Sequence, residues 1–486
     1  MTSINSDFMS QLALRSLGNS SNMMTQAMER LSTGKRVNSA ADDAAGLGIA
    51  TKLRAQVNSL NAATRNATDA LALIGTIDGA LEESGEILLR MRELAVQSAS
   101  DTNTGTDRSF IQDEINALNN ELNRISSSTE FNSVKLLDGT YNNKQIQIGT
   151  GANQVFNIGV TATDSSTLGA YELESVAEIT ASSGTASAAA ATTALTTALA
   201  DAADYTVKGS FGSATVKVDA GADARDVAKS FNLSAGTTGI NATAITKASI
   251  TGLGKATTIS FTLQGKSTSA STVNATVDST SNLTALKDAI NSVSGATGIS
   301  ASLTTDLSGI NLVQQEGYDI VIGDVTTSHA SGTMTIKVAD KSGTAQGTEQ
   351  TLKGFTTADD SVAMVGQVSL SSHKAFTVAS GDAANHFATD TSAQTSTLQS
   401  MGAIDISSQT GATKALSVID GAIAMISEVR SEMGAAENRL TSTVDNLSNV
   451  SVNTQRSLTA VEDANFASET SALTKAQILQ QAATSM

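Results

Sequence analysis

Residues 44–97 read AAGLGIATKLRAQVNSLNAATRNATDALALIGTIDGALEESGEILLRMRELAVQ, and this stretch decides the fold. Apolar or small residues recur at alternating intervals of four and three: Leu53, Val57, Leu60, Thr64, Ala67, Leu71 and Ile74. Asp78, Gly85 and Arg92 interrupt this seam, but Leu81 and Leu88 keep its register. The spacing is typical of a helix that lies along other helices. At 1.5 Å per residue the helix would approach about 80 Å, so it needs partners.

Two other segments carry the same spacing and are the expected partners. The first lies within residues 109–127 and contains Ile111, Ile115, Leu118, Leu122 and Ile125. The second lies near the other end of the chain and contains Leu416, Ile419, Ile423, Ile426, Met433, Leu440, Val444 and Leu447. These seams can pack together only if the two chain ends meet. We therefore predict a mixed fold, in which both ends form long coiled-coil-like α-helical rods and a β-rich (α+β) outer region is inserted between them.

The composition excludes several classes of function. The chain of 486 residues contains no Cys, which excludes disulfides and thiolate metal sites. Its net charge of −17 argues against nucleic acid as a partner. No apolar run is long enough for membrane insertion, and residues 1–12 lack the basic and apolar regions of a secretory signal peptide.

The midsection, residues 173–400, is rich in Thr, Ser, Ala and Gly and contains several strand-like runs. Within it, VAKSFNLSAGTTGINA (227–242) aligns with LKDAINSVSGATGISA (286–301) at an offset of 59, because 286 − 227 = 59. The repeat predicts two α+β modules near 205–250 and 259–322. The low-complexity residues 181–203 fit either a short helix or a linker.

No arrangement of residues indicates catalysis. The three histidines, His329, His373 and His386, show no zinc-ligand spacing, and the carboxylates are scattered. Residues 101–107 alternate oxygen-bearing side chains as a calcium loop does, but Gln112 stands where the bidentate Glu belongs. The competing interpretation is a helix–helix turn in which Gly105 ends one helix and Asp107 or Ser109 caps the next. We expect no enzyme activity and no cofactor.

Five blocks give the chain a resemblance to bacterial flagellin, the subunit of the flagellar filament. They are RLSTGKRVNSAADDAAGLGIA (30–50), MRELAVQSAS (91–100), STEFNSVKLLDGTY (128–141), NRLTSTVDNLSNV (438–450) and LTKAQILQQAATS (473–485). The resemblance covers about residues 1–170 and 400–486. Flagellins usually continue past the last block in a short apolar tail, whereas this sequence ends at Met486.

The resemblance implies a domain plan and a function. Residues 1–43 with 451–486 would form an inner helical domain lining the filament core, residues 44–172 with 401–450 a rod domain with β-hairpins, and residues 173–400 a variable surface region. The chain would polymerise with itself into the extracellular filament for swimming motility. A hook–filament junction protein is the alternative function.

The resemblance also implies partners and site residues. The implied partners are the flagellar type III export apparatus and a secretion chaperone, without a cleaved signal peptide, together with the filament cap and junction proteins. The apolar seam residues would be the packing positions of the subunit. Arg90, Leu94 and Glu114 match the positions at which flagellins contact the animal Toll-like receptor for flagellin.

Overall fold

The computed structural model describes residues 4–175, 178–181, 203–219, 221–267, 269–304, 306–329, 332–341, 343, 345–354, 361–380, 387 and 393–485. His386 and most of the low-complexity segment 181–203 lie outside these ranges. Within them the helices are α1 (Ile4–Thr33), α2 (Ala44–Ala99), α3 (Gly105–Ser128), α4 (Ala224–Leu233), α5 (Ala235–Thr238), α6 (Thr284–Ser292), α7 (Ser294–Thr297), α8 (Gln409–Glu462) and α9 (Phe466–Ser485), with a 3₁₀ helix at Met401–Ala403.

Twenty-one strands occupy the region between α3 and α8 in the described part of the chain. The first ten are β1 (Glu130–Phe131), β2 (Val134–Lys135), β3 (Lys144–Gln147), β4 (Val155–Ile158), β5 (Gly169–Glu174), β6 (Glu178–Ala181), β7 (Ala203–Lys208), β8 (Ser213–Val218), β9 (Asn241–Leu253) and β10 (Thr257–Gln264). The others are β11 (Ser271–Val277), β12 (Ile299–Leu303), β13 (Ile310–Gln314), β14 (Ile320–Thr327), β15 (Thr333–Ala339), β16 (Ala345–Lys353), β17 (Val362–Val365), β18 (Gln367–Ser372), β19 (Thr377–Ser380), β20 (Gln394–Thr395) and β21 (Thr397–Ser400).

The predicted meeting of the two chain ends is confirmed, because α2 and α8 pack side by side along most of their length. Contacts from Arg54 to Glu462 at one end and from Arg92 to Asp420 at the other show that the two helices run antiparallel. Helix α3 packs back on α2, and one continuous core joins the three helices to the hairpins of residues 130–168. The rod is therefore stabilised by burial of the periodic apolar face.

The helix at the amino end continues through Gly18 and the polar residues 19–22, although glycine and polar clusters often mark a helix end. Helix α1 runs without a break from Ile4 to Thr33 and packs against α9. Gly34 follows it with φ of +71°, a left-handed conformation that glycine adopts without steric cost, and ends the helix there. A single glycine inside a helix lowers its stability without stopping it.

The turn between α2 and α3 is a helix–helix connection, but its capping residues differ from the prediction. Thr104 is the N-cap: its Oγ1 accepts from the backbone N–H of Asp107 at 3.2 Å. The Asp107 carboxylate in turn accepts from the Thr104 backbone N–H at 2.9 Å, which completes a capping box. Gly105 is consequently the first residue of α3 and does not end α2.

The described residues of the inserted region form three antiparallel sheets. One has the order β11-β10-β14-β17-β6, and a second has β20-β19-β7-β8. The largest has the order β12-β13-β9-β18-β5-β21. Strand β15 pairs with residues 247–253 of β9, and β16 pairs with β15. Strand β5 leaves the rod and β21 returns to it, and the two pair directly, Gly169 with Ser400 and Glu172 with Thr397.

The internal repeat has the same geometry in both copies. Asn232 at the end of α4 donates to the Ala242 carbonyl and accepts from the Ala242 N–H, each at 2.8 Å. Asn291 at the end of α6 makes the same two bonds to Ala301, at 2.9 and 2.8 Å. Each asparagine thus ties a helix to the strand that follows it. The copies have separate apolar cores but share one sheet, since β9 of the first copy pairs with β13 of the second.

Candidate assembly surfaces

The apolar seam residues named from the sequence lie on faces that α2, α3 and α8 turn toward one another. Thirteen of them are buried: Val57, Leu60, Ala67, Ile74, Leu81, Leu88, Ile111, Ile115, Leu122, Ile419, Ile426, Met433 and Leu440. The other nine are half-buried: Leu53, Thr64, Leu71, Leu118, Ile125, Leu416, Ile423, Val444 and Leu447. In the single chain these side chains serve packing between its own helices, and packing between subunits at the same positions stays a prediction.

Two charged residues that interrupt the seam of α2 pair with charged residues of α8. Arg430 on α8 donates through Nε to Oδ1 of Asp78 on α2 at 2.8 Å. Arg92 on α2, about four helical turns beyond Asp78, donates through Nε to Oδ1 of Asp420 on α8 at 2.6 Å. All four side chains are partly exposed, so these pairs contribute little to stability but penalise other registers.

The connection between α1 and α2 contacts the connection between α8 and α9. We call this second contact between the chain ends the linker clasp (residues 34–36, Arg54 and 461–464). The buried carboxylate of Glu462 pairs with Lys35 and Arg54. The Arg36 backbone N–H donates to the Glu462 carbonyl at 2.7 Å, and the Ala464 N–H donates to the Gly34 carbonyl at 2.9 Å. Hydrogen bonds from Lys35 and then Arg54 hold the pKa of Glu462 below its usual value.

Sequence reasoning missed the linker clasp, because its partners are separated by some four hundred residues. Glu462 also falls one residue after the last seam position, Val461, so no periodic signal distinguishes it from a solvent-facing carboxylate. The sequence did contain one indication of this contact, which is the opposite charge of the two linkers. A basic pair, Lys35 and Arg36, follows a helix-ending glycine in one linker, and an acidic pair, Glu462 and Asp463, opens the other.

Helices α1 and α9 leave an apolar surface uncovered, which we call the terminal apolar face. Ala27 and Ala476 are buried, and Arg30 on α1 donates to Glu469 on α9 at 3.4 Å. Large apolar side chains that remain exposed are Phe8, Leu12, Leu14, Met23, Met28, Phe466, Ile478 and Leu479. Exposed apolar area on this scale marks a surface that another protein covers.

The three residues matched to receptor contact positions do not form one exposed patch. Arg90 donates through Nε to Glu114 at 3.0 Å and through Nη1 to Glu93 at 2.5 Å. The bond to Glu114, followed by that to Glu93, raises the pKa of Arg90. Leu94, by contrast, is 2% exposed and belongs to the rod core. The match of Leu94 to a receptor contact position stays a prediction, and in the single chain the side chain packs in the rod core.

Two further findings concern the described residues alone. They contain no group of three or more His, Asp or Glu side chains arranged to hold a metal ion. Within the same ranges, no helix combines the length and apolar character needed to cross a membrane.

A rod made by both chain ends, an insertion carried on its side and an uncovered terminal apolar face define a structural protein that assembles into a polymer. Residues 4–142 match the model for the bacterial flagellin N-terminal helical region, 416–486 the C-terminal helical region, and 258–314 the flagellin hook IN motif. The B-type flagellin of Pseudomonas aeruginosa is 33% identical over 486 residues, covering 99% of this chain and 96% of that protein.

The flagellin of Salmonella choleraesuis is 31% identical over 505 residues, again covering 99% of this chain and 96% of the relative. Among solved structures, FliC from Burkholderia pseudomallei matches with a TM-score of 0.30 and 16% identity, covering 76% of this chain and 99% of that one. The chain belongs to the flagellin family. It is a subunit of the bacterial flagellar filament.

Proposed function

We propose that the chain polymerises by burying its terminal apolar face between neighbouring copies. In this arrangement residues 1–43 with 451–486 form the inner layer of the filament, and residues 44–172 with 401–450 form the outer tube. Residues 173–400 face solvent. The observation that carries the proposal is the set of exposed large apolar side chains on α1 and α9.

The energetics of the two terminal helices support this division. Helices of 30 and 20 residues that leave many large apolar side chains exposed gain only part of their possible packing energy from each other. A neighbouring subunit that covers Leu12, Met28 and Ile478 would supply the missing burial, at roughly 1.5–3 kcal/mol for each large side chain. The conformational entropy that the termini lose on ordering is then compensated only at the growing end of the filament, where a neighbouring subunit is present.

We infer the route and the partners from the same property. Termini that fold only on assembly leave a chain able to pass unfolded through the flagellar type III export apparatus, with a secretion chaperone covering the apolar face beforehand. Its destination is extracellular, and no signal peptide is cleaved. The filament cap and junction proteins would contact the same terminal helices at the two ends of the polymer. The role is mechanical and involves no catalysis.

Seeded elongation tests the proposal. Sheared filament fragments are mixed with soluble full-length chain, and filament length is followed by electron microscopy. We expect elongation by the wild type and by the control Leu233→Gln, which alters a side chain that is 83% exposed on the insertion. The variants Leu12→Gln and Ile478→Gln should fail to elongate. Equal elongation by all four proteins would refute a role for the terminal apolar face, and short non-growing complexes of the wild type would favour a junction protein.

Recognition by the animal Toll-like receptor for flagellin, through Arg90, Leu94 and Glu114, is a further proposal, and the residues that can be tested on the exposed surface are Arg90 and Glu114. Both side chains are accessible on one face of α2 and α3, and they already share a hydrogen bond. Arg90→Ala should reduce activation of a receptor reporter cell, whereas Arg124→Ala on the outer face of α3 should not. A receptor response unchanged by Arg90→Ala would exclude this surface.

A further inference from the structure

A cleft of about 480 Å³ lies where the largest sheet meets the first two turns of α8. Side chains from β5, β9 and β18 form one wall, and the beginning of α8 forms the other. Most of the lining consists of charged, hydroxyl and amide side chains, with only three apolar residues among fifteen. Since this cleft takes no part in the rod core or in the terminal apolar face, assembly does not explain its chemistry.

The charges in the cleft oppose those of the chain as a whole. Lys247, Lys341 and Lys414 contribute three ammonium groups, and Glu172 contributes the one carboxylate, so the lining carries 3 − 1 = 2 positive charges in a chain of net charge −17. Glu172 is 4% exposed and accepts a bond from Ser417 Oγ at 2.7 Å. Lys247 Nζ is held by the Lys341 carbonyl at 2.7 Å, and burial lowers its pKa.

The amino end of α8 adds positive potential at the same place. Ser408 caps the helix, and its Oγ accepts from the Gly411 N–H at 3.0 Å. Gln409 and Thr410 line the cleft, and as residues of the first turn they have N–H groups without an acceptor inside the helix. Free N–H groups at the first turn of a long helix, reinforced by its dipole, attract anions.

Ser369 points independently to a ligand. It lies on β18, is 3% exposed and lines the cleft, yet its Oγ has no hydrogen-bond partner in the described part of the chain. A buried hydroxyl without a partner is unfavourable, so such groups are normally satisfied by protein, water or ligand. An oxygen atom of a bound molecule would satisfy it.

We propose that this cleft binds an acidic monosaccharide, that is, a small carboxylate-bearing molecule rich in hydroxyl groups. The carboxylate would sit between the lysine ammonium groups and the N–H groups of Gln409 and Thr410. Its hydroxyls would bond Ser369 and Glu172, because a buried carboxylate accepts from hydroxyl donors and would repel a second anion. The volume lies within the range of small-molecule pockets, which is about 300–1,000 Å³.

The test uses the soluble full-length chain and glucuronate as the probe, with binding measured by titration calorimetry. We expect one site with a dissociation constant of about 1 mM, weakened by added salt. Lys414→Gln should weaken binding roughly tenfold, whereas the control Lys208→Gln, an exposed lysine on β7, should leave it unchanged. No binding of glucuronate at about 10 mM, or an equal loss in both variants, would overturn the proposal.

Two more measurements separate a sugar site from general anion attraction. Ser369→Ala should weaken glucuronate binding while leaving the thermal stability unchanged or slightly higher, since it removes an unsatisfied hydroxyl. Glucose and sulfate should each bind more weakly than glucuronate. Sulfate binding as tightly as glucuronate, with no effect of Ser369→Ala, would contradict recognition of the sugar hydroxyls and leave the inference wrong.

Discussion

Arg430 and Asp78 interrupt the apolar seams of two helices that are 352 residues apart in the chain, and each is the other's partner, at 2.8 Å. Arg92, the second charged residue that interrupts the seam of α2, pairs with Asp420 of α8 at 2.6 Å. A shift of one helix by a single heptad would separate both pairs, which favours one register.

A double-mutant cycle on Asp78 and Arg430 should give a small coupling free energy. Because both side chains are more than one-third exposed, we expect about 0.2–1 kcal/mol from urea unfolding of Asp78→Ala, Arg430→Ala and the double variant. The exchanged pair, Asp78→Arg with Arg430→Asp, should recover most of the loss. Exposed Arg124 and Glu121, one turn apart within α3, serve as the control, and an equal coupling there would argue against a role in register.

Replacing Glu462 should loosen the linker clasp. We expect Glu462→Gln to speed hydrogen exchange at the Arg36 and Ala464 amides by roughly tenfold at pH 7, equivalent to about 1.4 kcal/mol. Because the pKa of Glu462 is lowered, its stabilising effect is present above its ordinary value of 4.5 and is lost as pH falls through the lowered value. Glu437→Gln, an exposed change on α8, is the control. Exchange that is insensitive to Glu462→Gln would contradict this reading.

The two repeat asparagines should have matched effects on the insertion. Asn232→Ala and Asn291→Ala each remove two bonds and leave a strand N–H and a carbonyl unpaired, so each should lower the free energy of unfolding by about 1–3 kcal/mol. Calorimetry of the double variant should show the sum, because the two copies have separate cores. The exposed Asn274→Ala on β11 should change stability by less than about 0.5 kcal/mol. A large effect of only one asparagine would mean that the copies are not equivalent.

Asp319 should make the insertion less stable at higher pH. Burial, with a smaller contribution from the neighbouring Asp223 carboxylate, raises its pKa to about 7, and its Oδ1 is buried without a hydrogen-bond partner. The folded chain therefore binds a proton that the unfolded chain releases near pH 3.8, and stability falls as pH rises from about 4 to 7. Asp319→Asn should remove that loss, stabilising the chain at pH 8 by up to a few kcal/mol.

The expected pH dependence of this effect provides its own control. At pH 4 the wild type and Asp319→Asn should melt at nearly the same temperature, because the wild-type carboxyl is then largely protonated. Asp306→Asn should behave in the opposite sense, since hydrogen bonds from Ser308 and Thr304 lower the pKa of Asp306 to about 2. Parallel melting curves of wild type and Asp319→Asn from pH 4 to 8 would rule out the buried carboxyl as the cause.

The long helices were predictable because a helix packed against others repeats its apolar contacts every three or four residues. That periodicity placed α2, α3 and α8 and required the chain ends to meet. It carried no information on Thr104, whose capping role depends on a bond to Asp107, or on Gly18, which α1 tolerates. The strand runs of the insertion were visible from composition, but their pairing was not, since β5 meets β18 and β21 across about 200 residues.

The candidate sites divide in the same way. The apolar seam residues follow from spacing alone. The other sites depend on which distant segments the fold brings together: the linker clasp, the Asp78–Arg430 pair and the cleft between the largest sheet and α8. Leu94 was assigned from a sequence match to a receptor contact position. Such a match does not predict whether the side chain is buried, and here Leu94 lies in the core.

The pairing of β5 with β21 has a practical consequence. The chain leaves the rod at Glu174 and comes back at Thr397 on neighbouring strands, whose backbones lie about 5 Å apart. The segment between them begins and ends at almost one point, so a change in its length need not alter the packing of the rod. A foreign domain whose own termini are adjacent could be inserted between β5 and β21 and displayed at regular spacing along the filament, provided its design also shields the edge of β5 that β18 now covers.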